Sequence, residues 1–152
     1  MVQNEVTPMV INTLQFGEIE IEEDKVLNFP DGLIGFDNCK NFVLINDEDL
    51  EPFQWLICID EGNEEIGFPL LPPFLFVPDY LKNLPKDLRN EFEKNEDSPL
   101  NVLNVITIKG NNDEMTINLR GPVLIDADKK EGKQIILTSE SIPVDFPLTH
   151  RE

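Results

Sequence analysis

The sequence has 152 residues, 40% of them hydrophobic and 28% charged, a composition that is ordinary for a globular protein and excludes disorder along the whole chain. This length suits one core, and we predict a single domain over residues 1–152. The net charge of −18 repels phosphate backbones and anionic lipid headgroups, so we expect no direct binding to nucleic acid or to membranes.

The acidity has two interpretations, and the sequence leaves both open. Acidic surfaces steer basic partners and raise association rates by about 10–10³-fold at low salt, but the same charge also keeps a protein soluble. Two loops concentrate carboxylates, and we predict them as steering sites: Asp47, Glu48, Asp49, Glu64 and Glu65.

The first half of the chain is typical of short strands. Residues 17–22 alternate glutamate with isoleucine, which predicts a strand with its glutamates in water, and apolar runs at 41–46 and 53–60 predict two more. Between the strand at 17–22 and the run at 41–46 lies the segment FPDGLIGF. We predict that Pro30 ends a strand, that Asp31 and Gly32 form a tight turn, and that Gly35 allows close backbone approach beside Phe36.

The second half adds one helical segment. Leucines spaced by three or four residues predict a helical turn over 79–84 and then a helix of about three turns beginning near Pro85. Strands follow at 100–110 and 114–119. A hairpin surrounds the loop KKEG, where we predict a positive φ at Gly132. We also predict that the apolar tail at 144–148 packs against the rest of the domain. The predicted fold is mainly β: an open β-barrel-like antiparallel domain with one short helical segment.

Candidate catalytic groups are few. The single histidine, His150, is near the end of the chain, and the two cysteines, Cys39 and Cys58, show no metal-ligand spacing. The sequence also lacks the glycine-rich phosphate-binding motifs. We therefore predict no catalytic residue, metal or cofactor, two reduced thiols and, without a recognisable secretion signal, a cytoplasmic protein. The alternative is a carboxylate-dependent hydrolase or sugar-binding β-barrel, with acids converging in a deep pocket.

Five short motifs, in order, resemble the FliW family of flagellar assembly factors. They begin with the strand Phe16–Ile19 and the segment Phe29–Phe36, which is similar to the family pattern F-P-x-G-L/I-x-G-F. The other three are Pro78–Tyr80, Asn118–Val123 and Gly132–Leu137. Each motif is weak alone, but their order along nearly the whole chain is specific.

The resemblance implies a non-enzymatic, cytoplasmic regulator of flagellin synthesis. It would bind flagellin as a chaperone does and, when flagellin is exported, bind the RNA-binding repressor CsrA and relieve repression of translation. Polar residues inside the matching motifs are the predicted partner-binding residues: Asp79, Tyr80, Asn118 and Arg120. A further interpretation is an acidic nucleic-acid mimic, which predicts competition with RNA.

Overall fold

The computed structural model describes residues 8–13, 16–46, 48–63, 65–94, 100–109 and 114–148. The predicted steering residues Asp47 and Glu64 and the histidine His150 lie outside these ranges. The predicted mainly β class is confirmed. Eleven strands are described: β1 Pro8–Thr13, β2 Gly17–Glu22, β3 Leu27–Asn28, β4 Asn41–Ile45, β5 Gln54–Cys58, β6 Gly67–Leu71, β7 Leu100–Lys109, β8 Glu114–Ile117, β9 Val123–Asp126, β10 Glu131–Gln134 and β11 Phe146–Pro147.

Seven strands form a barrel in the order β7-β6-β5-β4-β3-β10-β9, and pairing of β9 with β7 closes the ring. The pairs are antiparallel except β3 with β10. The long strand β7 holds the arrangement together, because its first half pairs with β9 and its second half with β8. Strand β11 extends this outer layer by pairing with β8.

Apolar side chains of alternate strand positions fill the barrel. On β5, Leu56 and Cys58 point into the interior, where they contact Phe29 and Phe42, whereas Ile57 points outward. The β1–β2 hairpin covers this outer face of β4 and β5 through residues such as Ile19 and Ile21, and the glutamates of β2 are exposed. The prediction that β2 is a strand with its glutamates in water is therefore confirmed.

The predicted helical segment is also present. A 3₁₀ helix spans Tyr80–Asn83, and the α-helix α1 spans Lys86–Lys94, about two and a half turns. The N–H of Arg89 donates to the carbonyl of Pro85 at 3.0 Å, so helical hydrogen bonding begins at the proline. Leu84 is buried and Leu88 half-buried in a second core that joins this segment to β7, β8 and the docked tail. No helix in the described ranges is long and apolar enough to cross a membrane.

Two glycine predictions are wrong in detail. Close backbone approach occurs at Gly32, where a Cβ would lie 2.5 Å from the carbonyl oxygen of Phe36, whereas a Cβ on Gly35 would meet nothing within 4 Å. Both have positive φ, 66° and 87°.

In the β9–β10 hairpin the positive φ belongs to Lys130, at 57°, and not to Gly132. Gly132 is required for a different reason. A Cβ there would lie 2.2 Å from the ring of the buried Phe29, so the missing side chain makes room for the aromatic core.

Candidate functional site

Asp79 and Tyr80 begin the 3₁₀ helix but have opposite environments. Asp79 is 64% exposed, and its carboxylate lies 3.5 Å from Nζ of Lys82. An exposed ion pair of this kind contributes at most about 1 kcal/mol, so the carboxylate can exchange it for another partner. Tyr80 is fully buried, and its ring packs edge-on against Phe74 with centroids 6.1 Å apart.

The hydroxyl of Tyr80 lies in a buried polar network. It donates to the carbonyl of Leu119 and accepts from Nδ2 of Asn104 at 3.2 Å. The same amide nitrogen donates to the carbonyl of Asn118 at 2.7 Å. Burial raises the pKa of Tyr80, and the Asn104 hydrogen bond opposes that rise only in part. Tyr80 therefore links the 3₁₀ helix to β7 and to the turn after β8.

Asn118 and Arg120 organise that turn. Oδ1 of Asn118 accepts from the backbone N–H groups of Arg120 and Gly121, each at 3.0 Å, as a turn-forming asparagine does. Arg120 extends toward the tail, where Nε donates to the carbonyl of Ile142 at 2.7 Å and Nη2 to that of Glu140 at 2.9 Å. A guanidinium that crosslinks two backbone carbonyls fixes the tail against the turn.

The structure thus brings three of the four predicted partner-binding residues into one structural network, which we call the Tyr80 network: Tyr80, Asn104, Asn118 and Arg120. Of the four predicted residues, only Asp79 is exposed. Direct contact with a partner stays a prediction for all four. Sequence reasoning missed Asn104, a fully buried asparagine inside the apolar run of β7. A polar residue interrupting a run of strand residues was the available signal.

The acidic loops lie at opposite ends of the barrel. Glu48 and Asp49 belong to a 3₁₀ turn that precedes β5, whereas Glu65 lies in the connection that follows it. All three are exposed. The described steering residues are therefore two separate groups and do not form one patch.

An apolar cleft of about 540 Å³ opens between β6 and β7. Its rim carries three exposed isoleucines: Ile34 (56%), Ile108 (46%) and Ile136 (52%). Phe36 and Phe68 meet edge-on at one side, with ring centroids 5.0 Å apart. Gln134, which lines the cleft, joins the Ile34 segment to the turn after β8, because its Oε1 accepts from the N–H of Ile34 and its Nε2 donates to the carbonyl of Gly121, both at 2.9 Å.

Two titratable groups elsewhere, Cys58 and Asp60, have shifted pKa values with clear physical causes. Burial raises the pKa of the Cys58 thiol to about 12, so it is protonated and unreactive at neutral pH. For Asp60, burial is the largest influence and raises the pKa, but the hydrogen bonds that the carboxylate accepts from Lys40 and Asn41, with the nearby Lys40 charge, lower it overall. Asp60 therefore ties β4 to the end of β5.

The described residues offer little to the predicted alternative. No three His, Cys, Asp or Glu side chains among them are grouped to hold a metal ion. A smaller cleft of about 270 Å³ is lined by Asp126 and Glu131, which face each other across β9 and β10. Lys129 and Lys133 line it too, and Oδ1 of Asp126 accepts two backbone N–H groups of its own turn. These contacts are those of a hairpin loop.

Comparison with known proteins identifies the family. The family model described as FliW protein matches residues 9–148. This chain is a member of the FliW family. It is 38% identical over 133 residues to "Flagellar assembly factor FliW" of Alkaliphilus metalliredigens, covering 87% of this chain and 81% of the relative, and 39% identical over 133 residues to that of Carboxydothermus hydrogenoformans, covering 88% and 84%.

A solved structure of a FliW protein has the same fold. A crystal structure of the flagellar assembly factor FliW superposes with a TM-score of 0.76 at 29% identity, covering 95% of this chain and 99% of the other. The predicted family resemblance is therefore confirmed. Two of its motifs have clear structural uses, because Asn118–Val123 contains the turn of the Tyr80 network and Gly132–Leu137 contributes the glutamine of the cleft.

Proposed function

We propose that this protein acts in flagellar assembly as a cytoplasmic, non-enzymatic, protein-binding switch. It binds flagellin and, when flagellin is exported, binds and antagonises the translational repressor CsrA, so that flagellin synthesis resumes. The observation that carries the proposal is the FliW match over residues 9–148. No comparison favours the alternative, a carboxylate-dependent hydrolase or sugar-binding β-barrel.

The charge of the molecule supports the choice of a basic partner. An RNA-binding repressor must carry a positive surface to hold phosphates, and a protein of net charge −18 attracts such a surface. The exposed carboxylates at the two ends of β5 supply this attraction at separate places. Flagellin and the repressor must then exclude each other, since by linkage each lowers the affinity for the other by the same factor.

The predicted partner-binding residues divide into two roles under this proposal. Asp79 contacts a partner directly, because its carboxylate is exposed and its ion pair with Lys82 is easily exchanged. Tyr80, Asn118 and Arg120 act as positioning residues, because their polar atoms are engaged within the fold.

The decisive experiment titrates the purified protein with flagellin and with the repressor from the same organism, separately and together, by calorimetry and gel filtration. Each should bind, and the two should not form a ternary complex. A ternary complex, or failure to bind either protein, would refute the switch. Added RNA should weaken capture of the repressor only if the protein is a nucleic-acid mimic.

Charge reversal locates the steering surface. Glu48→Lys with Asp49→Lys changes one end of the barrel, and Glu65→Lys changes the other. Glu20→Lys on the exposed face of β2 is the control for Glu65→Lys, since it makes the same charge change at a site that we assign to solvent. The end that faces the repressor should show the larger loss of association rate at low salt, and that difference should shrink as salt is added.

A further inference from the structure

The exposed Ile34 lies at the tip of a tight turn. Residues 33–36 form a type II turn, which we call the Ile34 turn: the N–H of Phe36 donates to the carbonyl of Leu33 at 2.7 Å, and Gly35 has a φ of 87°. Leu33 is buried in the barrel core, and the ring of Phe36 packs edge-on against that of Phe68. Side chains therefore anchor both ends of the turn, whereas Ile34 at its tip is 56% exposed.

A glutamine from a distant strand fixes the backbone at this tip. The hydrogen bond within the turn leaves the N–H of Ile34 unused, and Oε1 of Gln134 accepts from it at 2.9 Å. Gln134 is half-buried at the end of β10, 100 residues further along the chain. Because a strand of the barrel thus holds the tip of a local turn, the Ile34 side chain is presented at a fixed place on the rim of the cleft.

The Tyr80 network in turn holds Gln134. Nε2 of Gln134 donates to the carbonyl of Gly121 at 2.9 Å, and the N–H of Gly121 donates to Oδ1 of Asn118 at 3.0 Å. A Cβ on Gly121 would lie 3.0 Å from Nε2 of Gln134 and 3.1 Å from Nδ2 of Asn118, so the glycine leaves room for both amides. The carbonyl of Asn118 accepts from Asn104 of the same network at 2.7 Å. A continuous series of hydrogen-bonded groups therefore joins the Ile34 turn to the Tyr80 network.

We propose that the Ile34 turn is a contact site for the basic protein partner and that Gln134 is its positioning residue. Ile34 and Ile136, both more than half exposed, stand on the rim of the apolar cleft, and the cleft receives an apolar segment of that partner. A turn that is already fixed adds no ordering cost to binding, and this is the advantage that the glutamine supplies. The inference rests on the proposed function, in which the basic partner is the RNA-binding repressor. It also gives the Tyr80 network a role, which is to hold Gln134.

Charge selects this occupant over a second copy of the chain. Exposed carboxylates flank the turn on both sides in sequence, since Asp31 lies three residues before Ile34 and Asp37 three residues after it. Glu65, also exposed, lies two residues before Gly67 of the cleft. Two copies of net charge −18 would repel each other here. A segment whose apolar residues are bordered by lysine or arginine matches both the apolar cleft and its acidic surroundings.

Amide hydrogen exchange tests the positioning role directly. In the free protein the amide of Ile34 should be protected at least tenfold more than that of Gly35, for which the described residues provide no acceptor. Gln134→Met keeps a side chain of similar length but lacks the amide, so it should remove this protection. Gln134→Glu should retain it, because a carboxylate oxygen still accepts from the Ile34 N–H. Protection of Ile34 that survives in Gln134→Met would overturn the positioning role.

The same variants should change the affinity for the repressor, measured by calorimetry at a salt concentration that screens the single charge differences among them. Gln134→Met should weaken binding at least fivefold, and Gln134→Glu less than twofold. Lys133→Met is the matched control, because it introduces the same residue at the neighbouring exposed position of β10, outside the cleft, and it should weaken binding less than twofold. Equal affinities for Gln134→Met and Lys133→Met would overturn the inference. So would weak binding by Gln134→Glu with Ile34 still protected.

A second pair of variants tests the contact itself. Ile34 and Leu75 are each 56% exposed, and of the two only Ile34 lines the cleft. Ile34→Asp should weaken binding of the repressor at least tenfold, and Leu75→Asp less than twofold. Ile136→Asp, on the same rim, replaces Ile34→Asp if the latter does not fold.

The outcomes separate this inference from the proposed function. Capture of the repressor with equal affinity by Ile34→Asp and Leu75→Asp overturns the contact site and leaves the proposed function intact. The same holds if Ile34→Asp loses flagellin but keeps the repressor, or if it abolishes a self-association of the parent protein. If the parent captures neither repressor nor flagellin, the proposed function and this inference both fail.

Discussion

Removing one buried hydroxyl should destabilise the whole barrel. Tyr80→Phe keeps the ring against Phe74 but deletes the group that donates to Leu119 and accepts from Asn104. The Leu119 carbonyl loses this donor in a buried environment, whereas the Asn104 amide keeps its bond to the Asn118 carbonyl. An unsatisfied buried polar group costs about 1–3 kcal/mol, so we expect a loss of about 2 kcal/mol in the free energy of unfolding.

Urea denaturation measures this loss. With a slope of about 2 kcal/mol/M, the midpoint should fall by about 1 M with the slope unchanged. The melting temperature of a chain of this size should fall by about 4–8 °C. Leu75→Ala, at an exposed position, should change stability by less than about 0.5 kcal/mol. A loss for Tyr80→Phe no larger than that of this control would refute the energetic importance of the network.

The single tyrosine gives the same network an optical test. Because burial raises the pKa of Tyr80 in the folded state, the native hydroxyl should stay protonated where an unfolded tyrosine ionises, near about pH 10. The stability linked to this shift is fully present below that pH and is lost as pH rises through the folded pKa. Absorbance at the phenolate band should therefore rise together with unfolding, and ionisation of a fully folded protein near pH 10 would contradict the buried hydrogen bond.

Three further outcomes follow from local geometry. Gly32→Ala should lower the free energy of unfolding by about 2–5 kcal/mol in urea denaturation, because it adds a clash with the Phe36 carbonyl to the strain of a positive φ. Gly35→Ala should cost only the strain, about 1–2 kcal/mol. Equal losses for the two variants would argue against the clash. Both buried thiols should react with a disulfide reagent only as fast as the protein unfolds, and rapid labelling of the native protein would contradict their burial. Asp60→Asn should be less stable than the parent at neutral pH, and the difference should shrink as pH falls below about 4. The reason is that the folded state lowers the pKa of Asp60, and the stability linked to this shift is lost as the carboxylate is protonated. Parallel curves of stability against pH for the two proteins would exclude this linkage.

Local patterns in the sequence predict elements whose cause is local. The alternating glutamates of β2 and the proline-initiated helix α1 depend on neighbours within a few residues, and both are found where periodicity predicts them. The docked tail was predicted from three apolar residues, of which Phe146 and Leu148 pack into the second core while Val144 stays exposed.

Features that depend on distant pairing could not be predicted. The closure of the barrel requires β7 to pair with β6, β8 and β9, and no local pattern specifies the register between residues so far apart in sequence. Gly132 shows the same limit. Its position after a lysine-rich loop suggested a turn residue, but its use is set by the ring of Phe29, about a hundred residues earlier in the chain.

The candidate site depends both on local sequence pattern and on pairing between distant residues. The apolar strand β6 contributes Leu70 and Leu71 to the two cores, as a hydrophobic run does. Pro69 in the same strand follows a different rule, since proline is tolerated only where no ladder bond is needed. Its missing N–H lies where β6 would next donate to β7, so Pro69 gives no donor to the carbonyl of Ile106, and the described pairing of the two strands stops at Leu70 with Val105. Exposed isoleucines beside the end of β7 are an aggregation hazard, and a net charge of −18 opposes self-association through them.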